Sequence, residues 1–142
     1  MREVETTLRA ARPHDAPRIS VLLDQLGWVV APEQVATELS ASPTTEIVVA
    51  ESDGDVVGFI AISTRRQFQR AGNLITIDTL VVDEAHRARG VGEQLVGAAF
   101  EAAARCSAQA VELVSHVRRV DARRFYERLG FDLTSNYFVR TL

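Results

Sequence analysis

Apolar residues recur with a period of two in some segments of this chain and of three to four in others, which predicts strands and helices in alternation. The segments with strand character are 4–10, 46–51, 56–62, 74–82, 110–117 and two short stretches near Phe131 and over 137–140. Those with helical spacing are 16–26, a segment opened by Pro32, 93–105 and 121–129. This order favours an α/β (α+β) fold with a mixed sheet flanked by about four helices.

A short segment between the 74–82 strand and the next helix has the composition of an anion site. Its sequence is Arg87-Ala88-Arg89-Gly90-Val91-Gly92. The unpaired N–H groups and the positive dipole end of a helix attract anions. Glycine lets a phosphate approach the main chain, and arginine supplies charge. This segment, hereafter the phosphate loop, is therefore predicted to hold a pyrophosphate.

The identity of the phosphate ligand is narrowed by what the loop lacks. A nucleoside triphosphate loop requires a lysine, and all 16 basic residues of this chain are arginine. A dinucleotide site is favoured by Gly90-x-Gly92 and by Glu112, which stands 20 residues later, where a ribose-binding acid is expected. Against that site, Leu95 replaces the third glycine, and the glycines begin eight residues after Val82. A dinucleotide-binding oxidoreductase remains one alternative.

Two separate motifs resemble a known family. The strand end and loop over 77–92 are similar to the acetyl-coenzyme A (acetyl-CoA) motif of the GNAT superfamily of N-acetyltransferases, whose loop runs Arg/Gln-x-x-Gly-x-Gly/Ala. Downstream, the Phe-Tyr-Glu-Arg-Leu-Gly-Phe segment over 125–131 resembles the end of that family's late helix. Leu26-Gly27-Trp28 also resembles the family, so the resemblance covers nearly the whole chain.

The resemblance implies an acetyl-CoA-dependent N-acetyltransferase built as a single domain over 1–142. It also implies a mostly antiparallel sheet of about six to seven strands with splayed central strands. Acetyl-CoA is then the co-substrate, and no metal is required. The implied acetyl-CoA contacts are the main chain of Leu80, Val81 and Val82 and the pyrophosphate-binding residues Arg87, Ala88, Arg89, Gly90, Val91, Gly92 and Glu93. Arg119 stands where the family commonly has asparagine, and it could reach the coenzyme's phosphates or point to solvent.

Tyr126 is the candidate general acid that protonates the departing thiolate. Helical spacing puts Ala122, Phe125, Tyr126 and Leu129 on one face, so Tyr126 is predicted to point towards the sheet. A phenol with a pKa of about 10 can protonate a thiolate whose conjugate acid has a pKa of about 8.5, at a cost of about 2 kcal/mol. The alternative is a core tyrosine whose hydroxyl bonds to the main chain. The resemblance favours the catalytic role.

Asp78 is the candidate base. It alternates with Leu80 and Val82 and is predicted to share their face, where an acid in an apolar strand needs a partner. The resemblance implies a carboxylate acting through water, commonly a glutamate. Pairing of the shorter aspartate with an arginine is equally open. Glu112, His116 and water are the other candidate bases.

The acceptor is predicted only as an amine, either of a small molecule or of a peptide. Its pocket is expected around Trp28 and the 64–72 loop with Arg65, Arg66 and Arg70, although a solvated hairpin tip is the preferred interpretation of that loop. A non-catalytic acyl-CoA-binding regulatory module is the second alternative, because it would keep the same phosphate loop without turnover. The family also implies that a homodimer can form.

The length, composition and net charge of the chain narrow the class of protein further. A chain of 142 residues with 46% hydrophobic residues can form one folded domain. The net charge of −3 disfavours nucleic-acid binding. The apolar runs are too short to span a membrane, and the N-terminus lacks the apolar segment of a signal peptide. A lone Cys106 excludes an internal disulfide and fits a reducing compartment, so a cytoplasmic protein is expected.

Overall fold

The computed structural model describes residues 5–41, 43–115 and 119–142. Within these residues the chain forms a five-stranded sheet. Its strands are β1 (Thr6–Ala10), β2 (Thr45–Ser52), β3 (Asp55–Gln67), β4 (Gly72–Val82) and β5 (Val111–Leu113). The helices are α1 (Ala16–Gln25), α2 (Pro32–Ala41), α3 (Val91–Arg105) and α4 (Val120–Arg128), and 3₁₀ turns lie at Pro13–Asp15, Phe68–Arg70 and Glu84–His86. The chain divides into two units, Met1–Glu112 and Leu113–Leu142. No helix in the described ranges has the length and apolar character needed to cross a membrane.

The sheet is mixed. Strands β1 to β4 are successive antiparallel neighbours. β5 lies beside β4 after the α3 crossover, where Gln109 N donates to Asn73 O (3.0 Å) and Ile75 N donates to Ala110 O (3.1 Å). Because the residue numbers rise together across these two bonds, β5 runs parallel to β4, as a helical crossover allows. The predicted mixed α+β fold with four helices is confirmed.

The sheet has five strands within the described residues, fewer than the six to seven expected. The strands predicted near Phe131 and over 137–140 are wrong, because residues 131–142 have no regular secondary structure. Apolar side chains there are exposed, as at Phe138 (89%), so their alternation does not mark a buried sheet face. Val4, His116 and Val117, also predicted in strands, lie outside the described residues.

β3 extends further than the sequence predicts. Residues 64–67, predicted as loop, continue the strand and pair with 72–75 of β4. Arg65 and Arg66 are exposed there, and a strand tolerates charge on a solvated face. The turn is confined to a few residues around Ala71, which has a left-handed φ of 48°.

Helices pack on both faces of the sheet in the first unit. The core on the α1 and α2 side consists of Ala16, Ile19, Leu22, Val35, Val49, Val56, Phe59 and Val81. On the other face, α3 packs on β2, β3 and β4. Gly58 permits a close approach, because a Cβ there would lie 3.2 Å from Leu95 Cδ1 and 2.8 Å from Val81 O. These contacts fix the end of β4 relative to α3.

The second unit contains α4. Its half-buried positions are Ala122, Phe125, Tyr126 and Leu129. The predicted helical face is therefore confirmed. Arg119 occupies the N-cap position of α4, and Asp121 in the first turn complements the helix dipole. Gly130 lies just past the helix end with a φ of 93°, a conformation that favours glycine.

Candidate active site

The phosphate loop connects the end of β4 to the start of α3, as the sequence predicts. The Glu84–His86 turn leads into it, and Ala88 and Gly90 adopt left-handed conformations with φ of 62° and 81°. Gly90 is the N-cap of α3, and its carbonyl accepts the helical hydrogen bond from Gln94 N (3.1 Å). Because no described side chain caps this helix, the N–H groups of its first turn can bind an anion.

The two arginine side chains of the phosphate loop differ in their hydrogen bonding. Arg87 Nε donates to Val82 O (3.3 Å), which ties this side chain to the end of β4. Arg89 is exposed and has no hydrogen bond or ion pair with any described residue. A Cβ at Gly90 would meet nothing within 4 Å, so the space beside the N-cap is open. An exposed guanidinium next to uncapped helix N–H groups fits a pyrophosphate.

The last residues of β4 direct alternate main-chain groups away from β3. Asp83 N donates to Val57 O (2.8 Å), which sets the phase of the β3–β4 ladder. Bonded and non-bonded pairs alternate in an antiparallel ladder, so Val81 bonds to β3 while the peptide groups of Leu80 and Val82 face the other edge. Among the described residues, β5 has 3 residues against the 11 of β4, and its hydrogen bonds to β4 lie near the start of β4. The main-chain groups of Leu80 and Val82 therefore point away from β3, whereas those of Val81 are bonded to it.

A β-bulge places Asp78. The register steps from Ile77 to Thr79 while β3 advances by one residue, so Asp78 is the extra residue on β4. Its carboxylate is exposed and accepts a hydrogen bond from the Ser63 hydroxyl. A bulge re-aims the side chain that it carries.

Asp78 therefore lies on the opposite face from the one predicted. Leu80 pairs with Ile60, which is three positions from Ser63 on β3, and odd separations along a strand put side chains on opposite faces. Since Asp78 contacts Ser63, its carboxylate lies on the Ser63 face. The prediction that Asp78 shares the face of Leu80 and Val82 is wrong, because strict alternation fails at a bulge. Among the described residues Asp78 also pairs with no arginine.

Glu112, another candidate base, is already paired. Its Oε1 accepts hydrogen bonds from Arg65 Nη2 (2.9 Å) and from the Thr76 hydroxyl (2.9 Å). Arg65 lies two positions from Ser63 on β3, and Thr76 is the register partner of Ser63, so these groups share the face of Asp78. Ser63, Arg65, Thr76, Asp78 and Glu112 are called the polar row below. Arg65 thus belongs to a sheet face beside the candidate base, and the hairpin-tip interpretation is wrong for it.

Tyr126 belongs to the second unit and packs among aromatic rings. Its ring lies edge-on to Phe125 (centroids 5.1 Å apart) and to Phe131 (5.7 Å). Burial raises the pKa of its phenol, and the nearby Arg119 cation opposes that rise without cancelling it. The hydroxyl makes no hydrogen bond with another described residue, so the main-chain-bonded alternative is not observed. The candidate base His116 lies outside the described residues.

Sequence comparison decides the family. Residues 8–131 match the model described as the Acetyltransferase (GNAT) family. The chain belongs to the GNAT family. An aminoalkylphosphonate N-acetyltransferase of Salmonella typhimurium is 32% identical over 100 residues, which are 70% of this chain and 65% of that protein. N-acetyltransferase family 8 member 2 of Rattus norvegicus is 31% identical over 91 residues, which are 64% of this chain and 40% of that protein. The match thus spans less than two thirds of either relative.

Solved structures confirm the fold. An aminoglycoside N-acetyltransferase in complex with CoA superimposes with a TM-score of 0.87 at 16% identity, covering 99% of this chain and 97% of that one. A transcriptional regulator from Bacillus halodurans C-125 also gives 0.87, at 23% identity over 97% of this chain and 100% of that one. A putative acetyltransferase from Agrobacterium tumefaciens gives 0.85 at 26% identity over 95% of this chain and 99% of that one.

The family to which this chain belongs is described as one of acetyltransferases. The dinucleotide alternative loses its ribose-binding acid, since Glu112 is bound to Arg65 and Thr76. Within the described ranges, no three His, Cys, Asp or Glu side chains form a group that could hold a metal ion. Sequence reasoning missed Ser63 as the partner of Asp78. The sequence sign of this contact was a polar residue directly after the predicted 56–62 strand.

Proposed function

We propose that this GNAT protein transfers the acetyl group of acetyl-CoA to a primary amine by direct attack in a ternary complex. The observation that carries this proposal is the uncapped start of α3 with the exposed Arg89 beside it. A pyrophosphate fits that loop, and the amides of a pantetheine arm can pair as an added strand with Leu80 and Val82. Acetyl-CoA combines both chemical groups.

Tyr126 is proposed as the general acid. Bound acetyl-CoA supplies an activated thioester carbonyl. As the amine nitrogen bonds to that carbon and the carbon–sulfur bond breaks, Tyr126 donates its phenolic proton to the thiolate, and the attacking nitrogen releases its extra proton to solvent to become the amide. A raised pKa keeps the phenol protonated at neutral pH, and its hydroxyl is not engaged by another described residue. These are the properties that a proton donor requires.

Asp78 is proposed as the base, acting directly or through one water. It accepts the proton that the ammonium form of the acceptor must lose before attack. The Ser63 hydroxyl is a neutral hydrogen-bond donor that orients the carboxylate. Glu112 is less suited, because one of its oxygens already accepts from both Arg65 and Thr76. Cys106 is not proposed as an acyl carrier, since it lies past the far end of α3 with its thiol towards Ala103 O (3.8 Å).

The polar row is proposed as the acceptor surface. It carries two carboxylates and one guanidinium, and a net negative face attracts a protonated amine. The names of related proteins give two acceptor chemistries, an aminoalkylphosphonate and an aminoglycoside. Both are small molecules with primary amines. We therefore infer a small-molecule amine as the acceptor class.

Thiol release tests this proposal. The protein is mixed with acetyl-CoA and, separately, an aminoalkylphosphonate, an aminoglycoside, an amino acid and a short peptide with a free N-terminus. The proposal is supported if the amount of CoA released equals the amount of N-acetyl product measured by mass spectrometry, and if the protein itself carries no acetyl adduct. Tight CoA binding without product from any amine would favour the non-catalytic module. Absence of CoA binding would refute the proposal.

A further inference from the structure

Asp83, the first residue after β4, is held by side chains of α1. Its carboxylate accepts hydrogen bonds from Arg18 Nη2 and from Gln25 Nε2 (3.3 Å). The same carboxylate caps the following turn by accepting from Ala85 N (3.3 Å), and the Asp83 carbonyl accepts from His86 N (2.8 Å). Asp83 therefore joins α1 to the turn that precedes the phosphate loop.

The two α1 side chains make second contacts that complete this connection. Gln25 Oε1 accepts from Glu84 N (3.1 Å), so one side chain holds two successive residues of the turn. Arg18 Nε donates to Val56 O (2.8 Å) at the start of β3. The bonds to Asp83 join residues 65 and 58 positions apart in sequence. Arg18, Gln25 and Asp83 are called the α1 clamp below.

The phosphate loop requires support from outside itself. Ala88 has a φ of 62°, which costs a residue with a Cβ about 1 kcal/mol. Such a conformation persists only where the surroundings determine the backbone. Residues 87–90 are exposed, and the Arg87 bond to Val82 O ties one of their side chains to β4. The α1 clamp acts on the turn immediately before them.

We propose that Asp83, held by Arg18 and Gln25, is a positioning residue that fixes the phosphate loop and thereby sets the affinity for acetyl-CoA. This inference rests on the proposed function, since it requires that the loop binds the pyrophosphate. Asp83 acts through the main chain of the turn that brings Ala88 and Arg89 into place. A loop ordered before binding loses less entropy on binding, which raises affinity.

Calorimetric titration with CoA tests the proposal on the purified full chain. Wild type is compared with Asp83→Asn, which removes the charge held by Arg18, and with Gln25→Met, which removes both glutamine hydrogen bonds at similar volume. Each change is expected to raise the Kd about tenfold. The matched control is Glu46→Gln, which breaks the Glu46–Arg105 ion pair (2.8 Å) outside the clamp and should keep the wild-type Kd.

A positioning role is separated from a general structural one by repeating the titration in an Arg89→Ala background. Positioning predicts that Asp83→Asn then raises the Kd by less than about threefold, since residues acting through one another are not additive. A full tenfold effect in both backgrounds would overturn the inference, as would wild-type affinity in Asp83→Asn and Gln25→Met. If circular dichroism shows that Asp83→Asn does not fold, Gln25→Met is compared with wild type in the same two backgrounds. Failure of wild type to bind CoA would instead overturn the proposed function.

Discussion

The Ser63 hydroxyl donates a hydrogen bond to the Asp78 carboxylate, and Asp78 is the residue that the β3–β4 register leaves without a partner. The bulge turns this acid away from the face of Leu80 and onto the solvated face that also carries Glu112. An exposed carboxylate with one neutral hydrogen-bond donor can still accept a proton. The geometry therefore makes Asp78, rather than the arginine-bound Glu112, the first candidate to test as base.

Replacing Asp78 by asparagine should lower kcat about 10²-fold while leaving the KM for acetyl-CoA unchanged, because a general base contributes at least that factor to rate. Glu112→Gln should cost much less, since this carboxylate is committed to Arg65 and Thr76. Steady-state rates with both substrates varied give the comparison. The reverse ranking would assign the base to Glu112.

Replacing Arg89 by alanine should raise the KM for acetyl-CoA about tenfold or more, because a charge-assisted hydrogen bond contributes about 1.5–3 kcal/mol. The effect on kcat should be small, since Arg89 is proposed to hold the pyrophosphate and not the thioester. Arg66→Ala is the matched control, because Arg66 is also exposed but lies in β3. Equal KM values for the two variants would contradict the assignment of the loop.

Replacing Tyr126 by phenylalanine should lower kcat about 10²-fold with little change in CoA affinity, because the ring contacts remain and the proton donor is lost. Burial raises the phenol pKa above its ordinary 10.0. Deprotonation of Tyr126 should therefore lower the wild-type kcat only at pH values above 10.0. A pH profile of kcat checks this, with Tyr137→Phe as an exposed control. An unchanged kcat would remove Tyr126 from the chemistry.

Acid sensitivity of the fold should depend on Asp15. This buried carboxylate accepts hydrogen bonds from Arg9 (2.8 and 2.9 Å) and from Arg12 N (2.7 Å), and the Arg9 bond lowers its pKa from 3.8 to about 2. The folded pKa lies below the unfolded one, so the stabilisation is complete above about pH 4 and is lost as the pH falls through about 2.

Urea unfolding should show the loss. Asp15→Asn is expected to lower the free energy of unfolding by about 2 kcal/mol at pH 7 and to flatten its decline between about pH 5 and 2. Asp24→Asn is the control, because Asp24 is exposed on α1. Equal stabilities of the two variants at pH 7 would contradict this account of Asp15.

Two parts of the candidate site, the start of α3 and the buried face of α4, depend on short-range sequence and could be predicted from it. The glycine at 90 takes the left-handed conformation that starts α3, and the helical spacing around Tyr126 matches the half-buried face of α4. Both follow from rules that operate within one or two helical turns. The position of this loop between a strand and a helix is therefore predictable from the amino-acid sequence alone.

Features that depend on a partner strand could not be predicted in the same way. The bulge at Asp78 exists only in the β3–β4 register, and the extension of β3 to Gln67 depends on pairing with Gly72. The predicted strand over 137–140 failed because an alternating pattern does not itself supply a neighbour. The α1 clamp escaped prediction because it joins residues distant in sequence, such as Arg18 and Asp83.

Thermal unfolding with and without acetyl-CoA shows whether this protein binds the coenzyme. A ligand at about 100 times its Kd adds about 2.7 kcal/mol, which should raise the Tm by roughly 5–10 °C for a chain of this size. We expect this rise for wild type with acetyl-CoA, a much smaller one for Arg89→Ala, and none with a reduced nicotinamide cofactor. An unchanged wild-type Tm at saturating acetyl-CoA would show that the phosphate loop does not bind the coenzyme.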